Sequence, residues 1–180
     1  MKSEKEKMLD GELYNPLCPE LTKLRTTARK LAKKYNENPK KSTLEKLFNK
    51  KIKEIYIEPP FYCDYGSNID LGEKVFMNFN CTILDCNKVT IGDNTLFGPN
   101  VQIYSATHTL DYQTRNKELE FSKPITIGKN CWIGGGAIIL AGISIGDNSV
   151  IGAGSVVTKN IPPNSLAVGN PCKVIKEIKN

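Results

Sequence analysis

The sequence predicts a mainly β fold: a three-sided parallel β-helix with a small helical segment before it and one protruding loop. Three observations predict it. Aliphatic residues recur at a strict step of six late in the chain. Helical periodicity is confined to roughly the first sixty residues. A single polar stretch of 21 residues, Tyr104 to Pro124, interrupts the repeat and widens one step to 24.

The repeat is the strongest of these. Ile127, Ile133, Ile139, Ile145, Ile151 and Val157 each follow the last by six, and Gly128, Gly134, Gly146 and Gly152 follow four of them. An earlier run, Ile91, Phe97 and Ile103, keeps the same step, and a weaker one runs through Leu71, Met77 and Ile83. The step from Ile83 to Ile91 is eight, a two-residue insertion. A sustained short period signals stacked units. Three hexapeptides make one 18-residue coil, so Ile127 is expected against Ile145, Ile133 against Ile151, and Ile139 against Val157, with coils ~4.8 Å apart. Glycine and small residues are expected at corners that need positive φ. Stacking several such units stabilises a solenoid.

The helical segment is expected over 1–58. Ser3 and Glu6 have capping-box spacing, and Asp10-Gly11 marks a turn. Pro19 suits the first turn of a second helix. Leu21, Leu24, Ala28, Leu31 and Tyr35 form its apolar stripe, with Asn36 and Pro39 expected to end it. Ser42 and Glu45 repeat the capping-box spacing before Leu44, Leu47 and Phe48. The β-helix is expected over 59–165, with its loop at 104–124, and a C-terminal tail over 166–180.

Composition narrows the function. The net charge is +6, yet residues 23–53 alone hold twelve Lys or Arg against Glu37 and Glu45. Solvated helix faces explain such a run, and no aromatic-interleaved basic strand accompanies it, so no nucleic-acid partner is expected. No apolar run reaches the ~18 residues of a membrane span, so no membrane partner is expected. The polar start from Met1 to Gly11 lacks a signal-peptide core, so a cytoplasmic location is expected, with Cys18, Cys63, Cys81, Cys86, Cys131 and Cys172 as free thiols.

His108 is the only histidine, and it sits in the polar interruption YSATHTLDYQTRNKELEFSKP. Long excursions from a regular scaffold usually carry function. An imidazole is a natural proton carrier near neutral pH, and acyl transfer to an alcohol needs a base. A zinc-dependent carbonic anhydrase on a similar scaffold needs three imidazole ligands, which one histidine does not supply. No metal is expected. A non-catalytic solenoid that binds a partner along a flat face is the competing class, and it predicts no coenzyme A binding.

Seven stretches resemble the maltose and galactoside O-acetyltransferases of the hexapeptide-repeat family. They are EKMLDGELY (6–14), EPPFYCDYGSNI (58–69), NFNCTILD (78–85), VTIGDN (89–94), THTLD (107–111), PITIGKNCWIGGGAII (124–139) and IGAGSVVTKNIPPNSLAVGNPCKVIKEI (151–178). The resemblance covers nearly the whole chain. It implies a left-handed coil, acetyl-CoA as co-substrate, a sugar acceptor and a homotrimer with sites between subunits. It implies that His108 deprotonates the acceptor hydroxyl for direct attack, without an acyl-enzyme. Arg25, Asp64, Asn78 and Asp85 then lie at or near acceptor positions. Gly135, Ala153, Thr158 and Lys159 lie at coenzyme A positions, and Lys173 and Lys176 replace frequent arginines that meet phosphates, without the bidentate fork. Asp64 and Asp85 equally suit turns, Asn78 a corner, and the two lysines solvent. This chain departs from some relatives at Asn15-Pro16 and at Cys86, where an acid is found. An acceptor other than a sugar is the alternative within acyl transfer; the N-terminal match argues against a serine acetyltransferase.

Overall fold

The computed structural model describes residues 1–179. Three helices precede the column. α1 (Glu4–Asp10) carries the expected capping box between Ser3 and Glu6 and ends at Gly11 in the left-handed region. α2 (Pro19–Glu37) has Pro19 in its first turn and buries Leu21, Ala28, Ala32 and Tyr35. It runs past Asn36, whose side chain instead bonds both the N–H and the C=O of Phe61. α3 (Lys41–Phe48) corrects the second capping box: its N-cap is Lys40, with no side-chain cap, so Ser42 lies inside the helix.

The column then rises coil by coil. The first coil is β1 (Tyr56–Ile57), β2 (Phe61–Cys63) and β3 (Ile69–Leu71), and the second is β4 (Phe76–Met77), β5 (Cys81–Leu84) and β6 (Val89–Ile91). In the third, β7 (Leu96–Phe97) and β8 (Gln102–Tyr104) are followed by an arm. The arm comprises β9 (Ala106–Thr107), α4 (Tyr112–Arg115) and β10 (Phe121–Ser122), after which β11 (Ile125–Ile127) closes the coil. The fourth is β12 (Trp132–Ile133), β13 (Ile138–Ile139) and β14 (Ser144–Ile145). Above it lie β15 (Val150–Ile151), β16 (Val156–Val157) and β17 (Ser165–Val168), and β18 (Lys173–Glu177) turns back antiparallel on β17.

Three parallel sheets form the faces: β1-β4-β7-β12-β15-β17 the first, β2-β5-β8-β13-β16 the second, β3-β6-β11-β14 the third. The stacking expected from the repeat is observed, with Ile127 opposite Ile145, Ile133 opposite Ile151 and Ile139 opposite Val157. All six are at most 1 % exposed. Each such side chain contributes ~1.5–3 kcal/mol of burial.

The corners correct one expectation. Gly92, Gly128, Gly134, Gly146 and Gly152 do not adopt positive φ; they are needed because a Cβ there would come within 3.0 Å of the neighbouring coil. The left-handed residue comes two places later, and it is usually asparagine: Asn80, Asn94, Asn100, Asn130, Asn148 and Asn164 lie at φ 55–60°. Asparagine tolerates this region because its short amide bonds locally. Here the amides also form a ladder, Asn130 Nδ2 donating to Asn148 at 2.9 Å and Asn148 Nδ2 to Asn164 at 2.8 Å.

Candidate active site

The corner between faces two and three is where the column is least regular. The inward residues Ile139 and Ile145 flank it at the regular step of six. Cys63 and Leu71, and Ile83 and Ile91, flank it at eight, and Ile103 and Ile127 flank it with the whole arm between them. The extra backbone of the lower coils lies beneath the arm, and the candidate groups gather there.

The base of the arm is tied down. Asn87 accepts nothing from the arm but donates through Nδ2 to Ser122 Oγ at 3.2 Å, and its N–H donates to Ser105 Oγ at 2.8 Å. Ser122 Oγ donates to the Met8 carbonyl at 2.6 Å, joining the arm to α1. Tyr14 and Glu120 exchange backbone hydrogen bonds at 3.0 and 3.3 Å. The Tyr14 hydroxyl, fully buried, donates to Glu120 Oε1 at 2.5 Å. Burial, with Cys86 and Glu120 beside it, pushes the Tyr14 hydroxyl far above its ordinary range, so it remains a donor. The other oxygen of Glu120 stands 3.8 Å from His108 Nε2. His108 follows β9 directly and its side chain is 56 % exposed, so the imidazole is open on one side and faces a carboxylate on the other.

Below His108 the chain of groups continues. Cys86 Sγ lies 3.7 Å from Asp64 Oδ2, and Arg29 pairs with Asp64 Oδ1 at 3.3 Å. Burial pushes the Cys86 thiol well above its ordinary range, so it stays protonated and is a poor nucleophile. Arg25 donates to the Tyr65 hydroxyl at 2.8 Å and to the Pro16 carbonyl at 2.6 Å. Asp85 is fully buried, and its carboxylate accepts from the backbone N–H of Asp64 (3.0 Å), Tyr65 (2.8 Å) and Asn68 (3.3 Å). Burial nevertheless pushes its carboxyl up to about 7. Of the two aspartates expected to hold an acceptor, Asp64 therefore faces the cleft, whereas Asp85 faces inward and shapes the turn that presents Asp64.

Asn78 is not brought to this corner. It stands between faces one and two, where the coils above carry Gly98, Gly134 and Gly152, and its Oδ1 accepts from the Phe79 N–H at 2.8 Å. Gly135 and Ala153 stack at that same corner, tied by the Gly154 N–H to the Gly135 carbonyl at 2.9 Å. Thr158 and Lys159 lie across face two from them, after β16. Thr158 joins Tyr104, Thr107, Phe121, Leu140 and Ala141 in lining a groove of about 320 Å³ beside the arm. Lys173 and Lys176 are exposed on β18. Glu120, Tyr14 and Arg29 escaped the sequence reading. Glu120 shares the arm with His108, a usable signal; Tyr14 and Arg29 are joined to the corner only by folding.

These features define a hexapeptide-repeat acyltransferase scaffold. Residues 124–159 match the hexapeptide repeat of succinyl-transferase, and residues 7–53 match the maltose acetyltransferase hexapeptide capping motif. A maltose O-acetyltransferase from Clostridium difficile superposes with a TM-score of 0.97 at 50 % identity, covering 99 % of both chains. A hexapeptide-repeat acetyltransferase from Vibrio cholerae, solved with acetyl coenzyme A, superposes with a TM-score of 0.92 at 37 % identity over 99 % of this chain and 100 % of that one. The galactoside O-acetyltransferase of Escherichia coli is 42 % identical, over 97 % of this chain and 89 % of its own. The chain belongs to the maltose/galactoside O-acetyltransferase family, and it is an acetyltransferase.

Proposed function

We propose that the protein transfers acetyl from acetyl-CoA to a sugar hydroxyl, with His108 as general base. The observation that carries this reading is the exposed imidazole held 3.8 Å from Glu120, itself fixed by the buried Tyr14 hydroxyl. In the proposed step the imidazole takes the acceptor O–H proton as the oxygen attacks the thioester carbonyl carbon. The C–S bond of the tetrahedral intermediate then breaks. The imidazolium returns its proton to the departing coenzyme A thiolate. Glu120 stabilises the imidazolium while it exists, as a carboxylate does beside a catalytic histidine. Proton transfer of this kind contributes ~10²–10⁴-fold to rate.

The groove at Thr158 is the proposed entry of the thioester, and Lys173 and Lys176 suit the phosphates as point charges. Asn78 completes the site from a second copy in a homotrimer. Face one supports this: its outward side chains Tyr56, Phe76, Leu96 and Trp132 lie on successive rungs, an apolar strip of the kind that marks an interface.

The test is release of free coenzyme A from acetyl-CoA in the presence of mono- and disaccharides, for the native protein and His108→Ala. Sugar-dependent release by the native protein alone is expected; equal release by both removes His108 from the mechanism. Mixed oligomers of His108→Ala and Asn78→Ala should regain activity that neither variant has, and persistent inactivity removes the shared site.

A further inference from the structure

A second cavity lies outside the corner, between α2 and the outer side of β2. Its volume is about 530 Å³, and Arg29, Lys33, Asn36, Tyr62, Asp64 and Leu84 are among its lining residues. That volume falls within the ~300–1,000 Å³ of small-molecule sites.

Register connects this cavity to the arm. Leu84 and Tyr104 are partners on adjacent strands β5 and β8. Leu84 lines the cavity, and Tyr104 lines the groove that holds Thr107 and Thr158. The two spaces therefore adjoin along one edge of face two, with the His108 arm leaving from that edge just above. Asp64 belongs to both neighbourhoods: it lines the cavity and it also contacts Cys86, the residue at the turn beneath the arm.

The lining has the chemistry of a carbohydrate site. The Tyr62 ring is 50 % exposed on an edge strand and offers a flat apolar face to the C–H side of a sugar ring. Around it stand Arg29 paired with Asp64 at 3.3 Å and Lys33 paired with Glu37 at 3.8 Å. The Lys33–Glu37 pair is open to water at both ends and is worth little by itself, while Arg29 is 67 % exposed over an Asp64 side chain only 14 % exposed, so the guanidinium is free to swing to a diol above a fixed carboxylate. Charged donors and acceptors make the stronger hydrogen bonds to hydroxyls. The floor is firm, because Asn36 clamps the free edge of β2 at Phe61 with bonds of 3.0 and 2.8 Å.

We infer that this cavity is a second acceptor subsite, which takes the sugar ring beyond the one whose hydroxyl meets His108. The inference rests on the sugar reading above and deepens it. The acceptor class is then a disaccharide or longer, with Asp64 at the junction of the two rings.

The experiment compares kcat/KM for glucose, maltose and maltotriose in the native protein, Tyr62→Ala and Arg29→Gln. Both positions are exposed, so neither variant threatens the fold. The native protein should favour maltose over glucose by about tenfold or more, the size of one well-filled contact region. Tyr62→Ala should cut the maltose-to-glucose ratio at least fivefold, chiefly through KM, and Arg29→Gln should cut it less. An unchanged ratio in both variants, with glucose and maltose still acetylated, overturns the subsite alone. If no sugar is acetylated by the native protein, the acceptor reading itself falls and the subsite with it.

Discussion

Along the inside of the regular upper coils, from Ile127 to Val157, each inward side chain meets the side chain 18 positions away, and the environment repeats from coil to coil. At the corner under the arm, Tyr14, Arg25, Asp64, Cys86, His108 and Glu120 come from segments separated by up to 106 positions, and no two of them share an environment. The first region is built by repetition, and its stability is a sum of similar nearest-neighbour terms. The second is built where repetition fails: at two enlarged corners and one long arm. Chemistry needs unlike groups at close range, which a uniform ladder does not supply. The rigid column supplies the frame, and the exceptions supply the site.

This contrast is open to experiment, beginning with the largest effect. His108→Ala should lower kcat by ~10²–10⁴-fold with no change in thermal midpoint, because the imidazole is exposed and supports no packing. A fall in midpoint as large as a core substitution causes would erase the division between frame and site. Ile139→Ala should do the converse. The side chain is fully buried between Ile103 and Val157, so its loss should cost ~2–5 kcal/mol in a denaturant titration while KM stays near its native value.

Two glycines sharpen the comparison within the frame. A Cβ at Gly92 would stand 2.7 Å from backbone atoms of Gly128 and Lys129, so Gly92→Ala forces adjacent coils apart and should cost ~1–3 kcal/mol. At Gly154 φ is +68° but nothing lies within 4 Å, so Gly154→Ala bears only backbone strain, about 1 kcal/mol. The reverse order in chemical denaturation would show that close approach of coils is not what those glycines serve.

The last effect is read in pH dependence and concerns Asp85. Its carboxyl titrates at about 7 in the fold, against an ordinary 3.8, because burial opposes the charge. Between those values the native state keeps a proton that the unfolded chain has released. The stability tied to this group is thus present at the acid end and declines as pH rises toward 7. Asp85→Asn lacks that dependence. Relative to the native protein, the variant should gain ground by roughly 1–4 kcal/mol between pH 4 and pH 7. A stability gap that stays constant across that range would place the proton elsewhere.

Much of this was readable in the chain before folding. The register of the ladder follows from the step of six, since three short strands per coil leave one inward position per hexapeptide. The capping box at Ser3, the start of α2 at Pro19 and the arm carrying His108 are likewise local matters, set by residues a few places apart. The enlarged corner at Ile83–Ile91 was visible as an irregular step, though not what it shelters. Other features depended on the returning chain. Ser42 did not cap α3, because that helix begins earlier, at Lys41. The ladder glycines turned out to answer to the coil stacked on them rather than to their own φ. Asp64 and Asp85 look alike in the sequence, yet one faces the cleft and the other is consumed by three amides of a neighbouring turn.

The sequence by itself determined the repeat, the stacking of its side chains and the single imidazole on its long insertion, because each is a property of neighbours along the chain. Only the tertiary structure decided that Glu120 and Tyr14 stand behind His108, that Asp85 turns inward, and that α2 and β2 enclose a cavity beside the site. Those outcomes depend on which surfaces meet when distant segments pack, and on how much water each polar group loses in doing so.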